Sequence, residues 1–406
     1  MKILLVTQWF DPEPTFKGLL FARALKDSGH EVEVLTGFPN YPGGKIYKGY
    51  KISLYKKEVL DGVVVHRVPL YPSHNSSSIK RVINYASFAV SSFVFGLLKV
   101  RRVDVIYSYH PPLTTNLSAI FLGIFKRIPV VVDVQDLWPD TLAATGMLRN
   151  QKVLSAVGSV CRFVYRRSSK IVVLSPGFKD KLISREVPEE KIKIIYNWCD
   201  EYAISNFIRS EVQLPLNDNL NVLFAGNLGF AQGLPVIVRA AGILKRNNIP
   251  VNVVFLGDGV AKSSAIDLVD EMQLDNVFFL PRVPMNEVGS LLSSADILLV
   301  HLNDDELFTI TIPSRTQANL AIGRPIVMGV SGDAAKLVMD SGSGIVCKPN
   351  CAESLAISIT DMANKTVDER EKMGLAGRDF YYKNLSLQQG VQRFINVFES
   401  VVGRNG

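Results

Sequence analysis

The stretch AGNLGFAQG, Ala225 to Gly233, follows an apolar strand pattern (Asn221 to Phe224) and leads into a helical one. Glycines in such a turn bring backbone N–H groups close to an anion at a helix start. Further along stands IPSRTQANLAIGRPIV, Ile312 to Val327, in which a proline and a serine open a second helix pattern. Two such openings in one half of a chain suit a nucleoside diphosphate better than a single phosphate.

Around these segments, NVLFAG, VNVVFLG, NVFFLP, DILLVHL and RPIVMG (from Asn221, Val251, Asn276, Asp296 and Arg324) are buried-strand patterns separated by helical ones. The first half repeats the theme with KILLVT, EVEVLT, VVVHRVP, DVIYSY, PVVVDV and KIVVLS (from Lys2, Glu31, Val63, Asp104, Pro129 and Lys170). Such alternation predicts an α/β chain with parallel, doubly wound sheets. The expected organisation is two Rossmann-like domains, 1–200 and 201–384, facing each other across a cleft. A final helix within 385–406 carries Val391, Phe394, Val397, Phe398 and Val401 on one face and is expected to pack back on the first domain. Ligands in open α/β sheets sit beyond the carboxyl ends of strands, where both openings fall.

At 406 residues, 47% hydrophobic and 20% charged, the chain is globular and too long for one ordinary core. The net charge of +7 is uneven: residues 1–200 hold 28 Lys and Arg against 16 Asp and Glu, the remainder 17 against 22. The first half should therefore prefer an anionic partner. Nucleic acid is disfavoured, because basic and aromatic residues do not interleave and no helix-turn-helix pattern occurs. Cys161, Cys199, Cys347 and Cys351 lack metal-ligand spacing and read as reduced, packed thiols. The apolar run after Lys2 is too short for a signal sequence, so a cytoplasmic protein is expected.

Val82 to Leu98 holds no charge, with Lys80 and Arg81 before it and Lys99, Arg101 and Arg102 after it. It reads either as an in-plane amphipathic helix on a membrane or as a buried helix of the first domain. Leu117 to Phe125, ending at Lys126-Arg127, could extend the same patch.

MKILLVTQWFDPEPTFKG, SGHEVEVLTGFPNYPGG, VVDVQDLWPD and GNLGFAQG, in this order and over nearly the whole chain, resemble the retaining GT-B glycosyltransferases of glycosyltransferase family 4. Within that family they look most like the WbuB-like N-acetyl-L-fucosaminyltransferase group. The resemblance implies a metal-independent transfer from a UDP-sugar to a polyprenyl-pyrophosphate-linked sugar in O-antigen or surface-polysaccharide assembly. The sugars implied are N-acetyl-L-fucosamine on the donor and N-acetylglucosamine on the acceptor. It further implies no cofactor, and a peripheral place on the cytoplasmic face of the inner membrane.

Residue by residue, the resemblance sets Gly226, Asn227, Leu228, Gln232 and Gly233 in the frame the family uses near the diphosphate. Asn227 and Gln232 are neutral where the family is cationic. Ile310 and Ala318 stand where the family has two glutamates, so Gln317 or Asn319 is the candidate for the ribose. Ser314 and Arg315 open the helix, and Arg315, where lysine is usual, is the first choice for the diphosphate. Arg282 and Val283 would present backbone groups to the uracil edge. Gly257, Asp258 and Gly259 form either a nucleotide-touching or a purely structural turn. In the first domain, Asp136 could accept the acceptor hydroxyl's proton or cap a helix, and Gln135 could orient a sugar. Glu13, Lys17, Gly18 and His110 are the acceptor-side candidates. His30 reads as structural.

Two rival readings remain. A nucleotide-sugar epimerase of the reductase type would need G-x-G-x-x-G after the first strand. It would also need a helical Tyr-x-x-x-Lys, whereas Tyr41 and Lys45 enclose Pro42, Gly43 and Gly44. A hydrolysing epimerase on a similar fold, and a non-catalytic nucleotide- or membrane-binding scaffold, stay open.

Overall fold

The structure is a computed structural model that describes residues 1–73, 78–144, 147–148 and 150–403. It divides into two compact units, residues 1–174, 178–195 and 391–406 in the first and 175–177 and 196–390 in the second.

The first unit is built on eight strands: β1 (Lys2–Val6), β2 (Glu31–Gly37), β3 (Lys56–Leu60), β4 (Val63–Val68), β5 (Val105–His110), β6 (Val130–Val134), β7 (Lys170–Val173) and β8 (Ile192–Ile194). Their order is β3-β4-β2-β1-β5-β6-β7-β8, and only β3 runs antiparallel, against β4. Val, Ile and Leu dominate the central strands, and every residue of β6 and β7 is buried. That is the pattern of a parallel sheet covered on both faces. Helices α1 (Leu19–Asp27), α2 (Ser78–Lys99), α3 (Leu113–Lys126), α4 (Asp140–Ala144), α5 (Gln151–Arg167) and α6 (Pro176–Ile183) belong to this half of the chain. Strand order reverses between β1 and β5, so the crevice expected of such a sheet opens beyond Val6 and His110.

The second unit has six parallel strands: β9 (Leu220–Ala225), β10 (Val251–Leu256), β11 (Val277–Leu280), β12 (Ile297–His301), β13 (Ile326–Gly329) and β14 (Gly344–Val346). Their order is β11-β10-β9-β12-β13-β14. The reversal lies between β9 and β12, which puts the Gly226 turn and His301 at the switch point. The helices are α7 (Glu201–Ser205), α8 (Leu234–Arg246), α9 (Lys262–Glu271), α10 (Met285–Ser294), α11 (Glu306–Thr309), α12 (Ser314–Ile322), α13 (Asp333–Asp340), α14 (Ala352–Ala363) and α15 (Val367–Asn384). Phe224, Val253, Phe255 and Leu299 form the sheet side of a core closed by Ile237, Ala241, Leu355 and Ile359.

The last helix, α16 (Leu387–Val402), buries Val391, Phe394, Val397, Phe398 and Val401. From residue 391 it counts with the first unit. The Phe394 ring lies 5.1 Å from Phe21 and 5.6 Å from Tyr107, so aromatic packing seats it.

Candidate functional site: a guanidinium beside a glycine turn

In the second unit, the chain leaves β9 at Gly226, whose φ of +132° suits only glycine. A Cβ there would lie 3.2 Å from Arg315 Nη2. The missing side chain is what lets the guanidinium come up to the backbone. Arg315, in the first turn of α12, sits with its guanidinium carbon 4.3 Å from the centroid of the Phe224 ring. Its Nη1 is buried and has no hydrogen-bond partner. Burial lowers its pKa to about 10, which leaves it charged at neutral pH. A buried, charged donor without a partner is an incomplete anion site.

The rest of the turn is stapled from the end of β12. His301 shares a hydrogen bond of 2.8 Å with the Gln232 carbonyl through Nδ1, and Asn303 Nδ2 donates to the Phe230 carbonyl at 2.8 Å. A carbonyl only accepts, so Nδ1 carries the proton and Nε2 is bare, buried and unpartnered. Burial lowers the pKa of His301, in keeping with that neutral form. Gln232 Oε1 accepts from the Gly229 N–H at 3.0 Å. Its amide nitrogen and the exposed Asn227 side chain make no hydrogen bond among the described residues. The Gly257–Gly259 turn is taken up by the protein itself. Leu228 N–H donates to the Asp258 carbonyl at 2.9 Å, and a Cβ on Gly257 would overlap the Gly226 carbonyl.

Ser314 is exposed at the first position of α12. Gln317 is buried, and its amide nitrogen donates to the Pro313 and Ser314 carbonyls at 2.9 and 3.1 Å. It is therefore tied into the start of its own helix rather than held out for a ribose. Asn319 is buried too. Beyond β11, Arg282 is exposed and Val283 buried.

In the first unit, Asp136 follows β6, half-buried, with a carboxylate that makes no hydrogen bond or ion pair among the described residues. Burial raises its pKa, which makes it a better proton acceptor than an ordinary aspartate. Gln135 donates through Nε2 to Asp133 Oδ1 at 2.5 Å. Asp133 also receives Lys17 Nζ at 2.5 Å and Tyr107 OH at 2.6 Å. Lys17 and Asp133 are both wholly buried, and Lys17 lies 4.8 Å from the Phe394 ring centroid. The acceptor-side loop thus keeps its cation inside the unit instead of offering it at the surface.

Glu13 is likewise occupied. Its carboxylate accepts the backbone N–H groups of Phe10, Asn40 and Tyr41 at 3.1, 2.7 and 2.7 Å. It clamps the loop after β1 to the proline-glycine loop after β2, and burial raises its pKa. Gly18 makes room for Asp11, whose Oδ2 accepts from Leu19 N–H at 2.7 Å, so the close approach there is by the chain itself. His110, the last residue of β5, is buried with both ring nitrogens unpartnered, and its ring centroid lies 5.2 Å from that of Trp138. Burial lowers its pKa to about 3, so it is neutral and no proton donor of ordinary strength. His30 is a surface partner of the N-terminal amine at 3.3 Å.

Asp133 and His301 escaped sequence reading. Each lies inside an apolar strand pattern, PVVVDV or DILLVHL, where a lone polar residue looks like an interruption. The only available signal was position, at or near the carboxyl end of a strand.

Residues 19–198 match the family described as Glycosyl transferase 4-like domain, and residues 206–380 match Glycosyl transferases group 1. The chain is a glycosyltransferase. It is 26% identical over 98% of its length, and 99% of the relative's, to the Escherichia coli K12 protein WcaI, described as a colanic acid biosynthesis glycosyl transferase. Among solved structures, this glycosyltransferase is similar to sucrose-phosphate synthase of Thermosynechococcus elongatus (TM-score 0.70, 14% identity, 99% of both chains). It is also similar to Anabaena HepE, solved in complex with UDP (TM-score 0.65, 14% identity, 98% of this chain and 100% of that one). These likenesses carry the GT-B fold, with its two Rossmann-like sheets. Likeness to the colanic acid protein does not extend to a WbuB-like sugar choice.

Proposed function

We propose that this glycosyltransferase moves N-acetyl-L-fucosamine from UDP to a polyprenyl-pyrophosphate-linked N-acetylglucosamine, with retention and without a metal or cofactor. The setting is O-antigen or a related surface polysaccharide, at the cytoplasmic face of the inner membrane. The observation that carries the donor assignment is the Arg315 guanidinium, buried beside Gly226 with Nη1 unpartnered. HepE, on the same fold, was solved with UDP bound.

In this reading the diphosphate lies on the Gly226–Gly233 turn at the β9/β12 switch. Arg315 and the free amide nitrogens of Asn227 and Gln232 donate to its oxygens. When the bond between the sugar's anomeric carbon and the diphosphate breaks, its electron pair leaves with UDP. The charge that develops there is met by donors already in place. The acceptor hydroxyl attacks the anomeric carbon from the leaving-group side and gives its proton to Asp136, whose raised pKa suits that task. Gln135, held by Asp133, orients a sugar hydroxyl.

The test is a panel of UDP-sugars offered with synthetic lipid-pyrophosphate-N-acetylglucosamine, read by mass spectrometry. A product heavier by one N-acetylfucosaminyl group supports the reading. UDP release with no glycosylated lipid would favour the hydrolysing epimerase. No UDP release with any acceptor would favour a scaffold.

A further inference from the structure

α2 presents to solvent Val82, Ala86, Val90, Val94 and Leu98, a stripe at every fourth residue without one polar side chain. Val90 and Leu98 are 65% and 71% exposed. On a surface facing only water, such a stripe would be polar. α2 is long and apolar enough to cross a bilayer, but its opposite face is committed to the first unit. Phe88 and Ser92 are fully buried, Ser92 bonds Ser118 at 2.6 Å, and Asn84 accepts from Gln8 at 2.6 Å. The helix therefore lies on the unit and shows one side outward.

α3 extends that side. Phe121, Ile124 and Phe125 are exposed. Phe93 of α2 packs against Phe125 at 5.5 Å, and Phe121 against Phe163 of α5 at 5.9 Å. The three helices thus form one continuous face.

The charge bordering this face is mainly positive, with exposed Asp104 lying beside Arg102 and Arg127. No Asp or Glu occurs in residues 62–103, 105–132 or 141–179. Lys99, Arg101, Arg102, Arg127, Arg166 and Arg167 form no ion pair with the described residues. At the end of α3, Arg127 and Arg167 line a cavity of about 410 Å³ together with Ile120, Ile124, Ser169 and Val401. No carboxylate lines it. Two arginines beside a serine and apolar side chains suit a phosphodiester carried on a hydrocarbon. An apolar stripe with a cationic border suits the headgroup–acyl boundary of an anionic bilayer.

We propose that the first unit docks on an anionic phospholipid bilayer through α2 and α3. The stripe enters the interface, and Arg127 and Arg167 grip a lipid phosphodiester. This deepens the lipid-linked acceptor reading above and gives it a surface on which to meet that acceptor.

The test is sedimentation of the full chain with vesicles of phosphatidylcholine alone or mixed with phosphatidylglycerol. The wild type should bind the mixed vesicles, and more weakly as salt is raised. Leu98→Asp/Phe125→Asp and Arg127→Gln/Arg167→Gln should each reduce that binding at least about tenfold. Circular dichroism and activity on a water-soluble acceptor should stay at wild-type level. Equal binding to both vesicle types, or undiminished binding of either variant, would overturn the proposal. Should a variant misfold, hydrogen exchange of the wild type decides: mixed vesicles should slow exchange at 79–102 and 113–127, and unchanged exchange there overturns it. Vesicle binding without any transfer activity would count against the proposed reaction and leave this surface standing.

Discussion

Arg315 stacks its guanidinium on the face of Phe224, 4.3 Å from the ring centroid, while Nη1 is buried without a partner. The ring fixes the cation in a plane, and the bare Gly226 backbone lets it come close. A buried cation costs stability unless something pairs with it, and the proposed diphosphate would supply that negative charge.

Removing this group should weaken the transition state more than the fold. Arg315→Ala is expected to lower kcat/KM by about 10²–10³-fold, the loss typical of one donor to developing charge. Arg315→Lys should recover only part, since an ammonium cannot reproduce the planar fork or the stacking. Steady-state kinetics with UDP-sugar checks both, and thermal unfolding should show Arg315→Ala no less stable than wild type.

Asp136 gives a pH test with a definite sign. Burial raises its pKa. Its ionised, proton-accepting form is therefore lost as pH falls through a value above that of an ordinary aspartate. The acidic limb of the kcat profile should lie there and vanish in Asp136→Asn along with most of the activity. Because the charge is disfavoured in the fold, the stability linked to Asp136 is fully present below the ordinary aspartate pKa and is lost as pH rises through its raised one. Asp136→Asn should thus melt at or above the wild-type temperature at pH 7. A normal acidic limb in the variant would remove Asp136 from the proton's path.

Lys17 and Asp133 bind one another with no exposure of either side chain. Lys17→Met should destabilise the first unit by about 3–5 kcal/mol, because it strands a buried carboxylate. Lys17→Met/Asp133→Leu should lose less than the sum of the two single changes, which denaturant melts in a double-mutant cycle would measure.

Burial raises the thiol pKa of Cys161, Cys199 and Cys347 to about 12, whereas Cys351 is half-exposed. Native protein treated with iodoacetamide at pH 8 should be alkylated at Cys351 first, and at the other three only on unfolding. Peptide mass mapping reads the result.

Much of this architecture was legible in the sequence because parallel strands covered on both faces are written as unbroken apolar runs. VVV in β6 and NVVF in β10 leave little choice. β3, KKEVL, was not legible, since it half-buries Lys56 and Glu58 and exposes Val59, so no apolar face is written in it. β8 and β14 span three residues each, too short to show a period. Arg315 could be singled out because Pro313 and Ser314 announce a helix start. What the sequence could not show was occupancy. Lys17, Glu13 and Gln317 are residue types that bind ligands, yet here each is consumed by a partner far along the chain or by its own helix. Spacing along a chain carries no information about which polar groups are already satisfied in space.

The central claim is that the diphosphate of UDP lies between the Gly226 turn and Arg315. A crystal structure of the full chain soaked with UDP tests it directly. Phosphoryl oxygens are expected within hydrogen-bonding distance of Arg315 Nη1 and of backbone amides in the 226–233 turn. Density for UDP elsewhere, or an Arg315 side chain turned to solvent with the nucleotide bound, would contradict it.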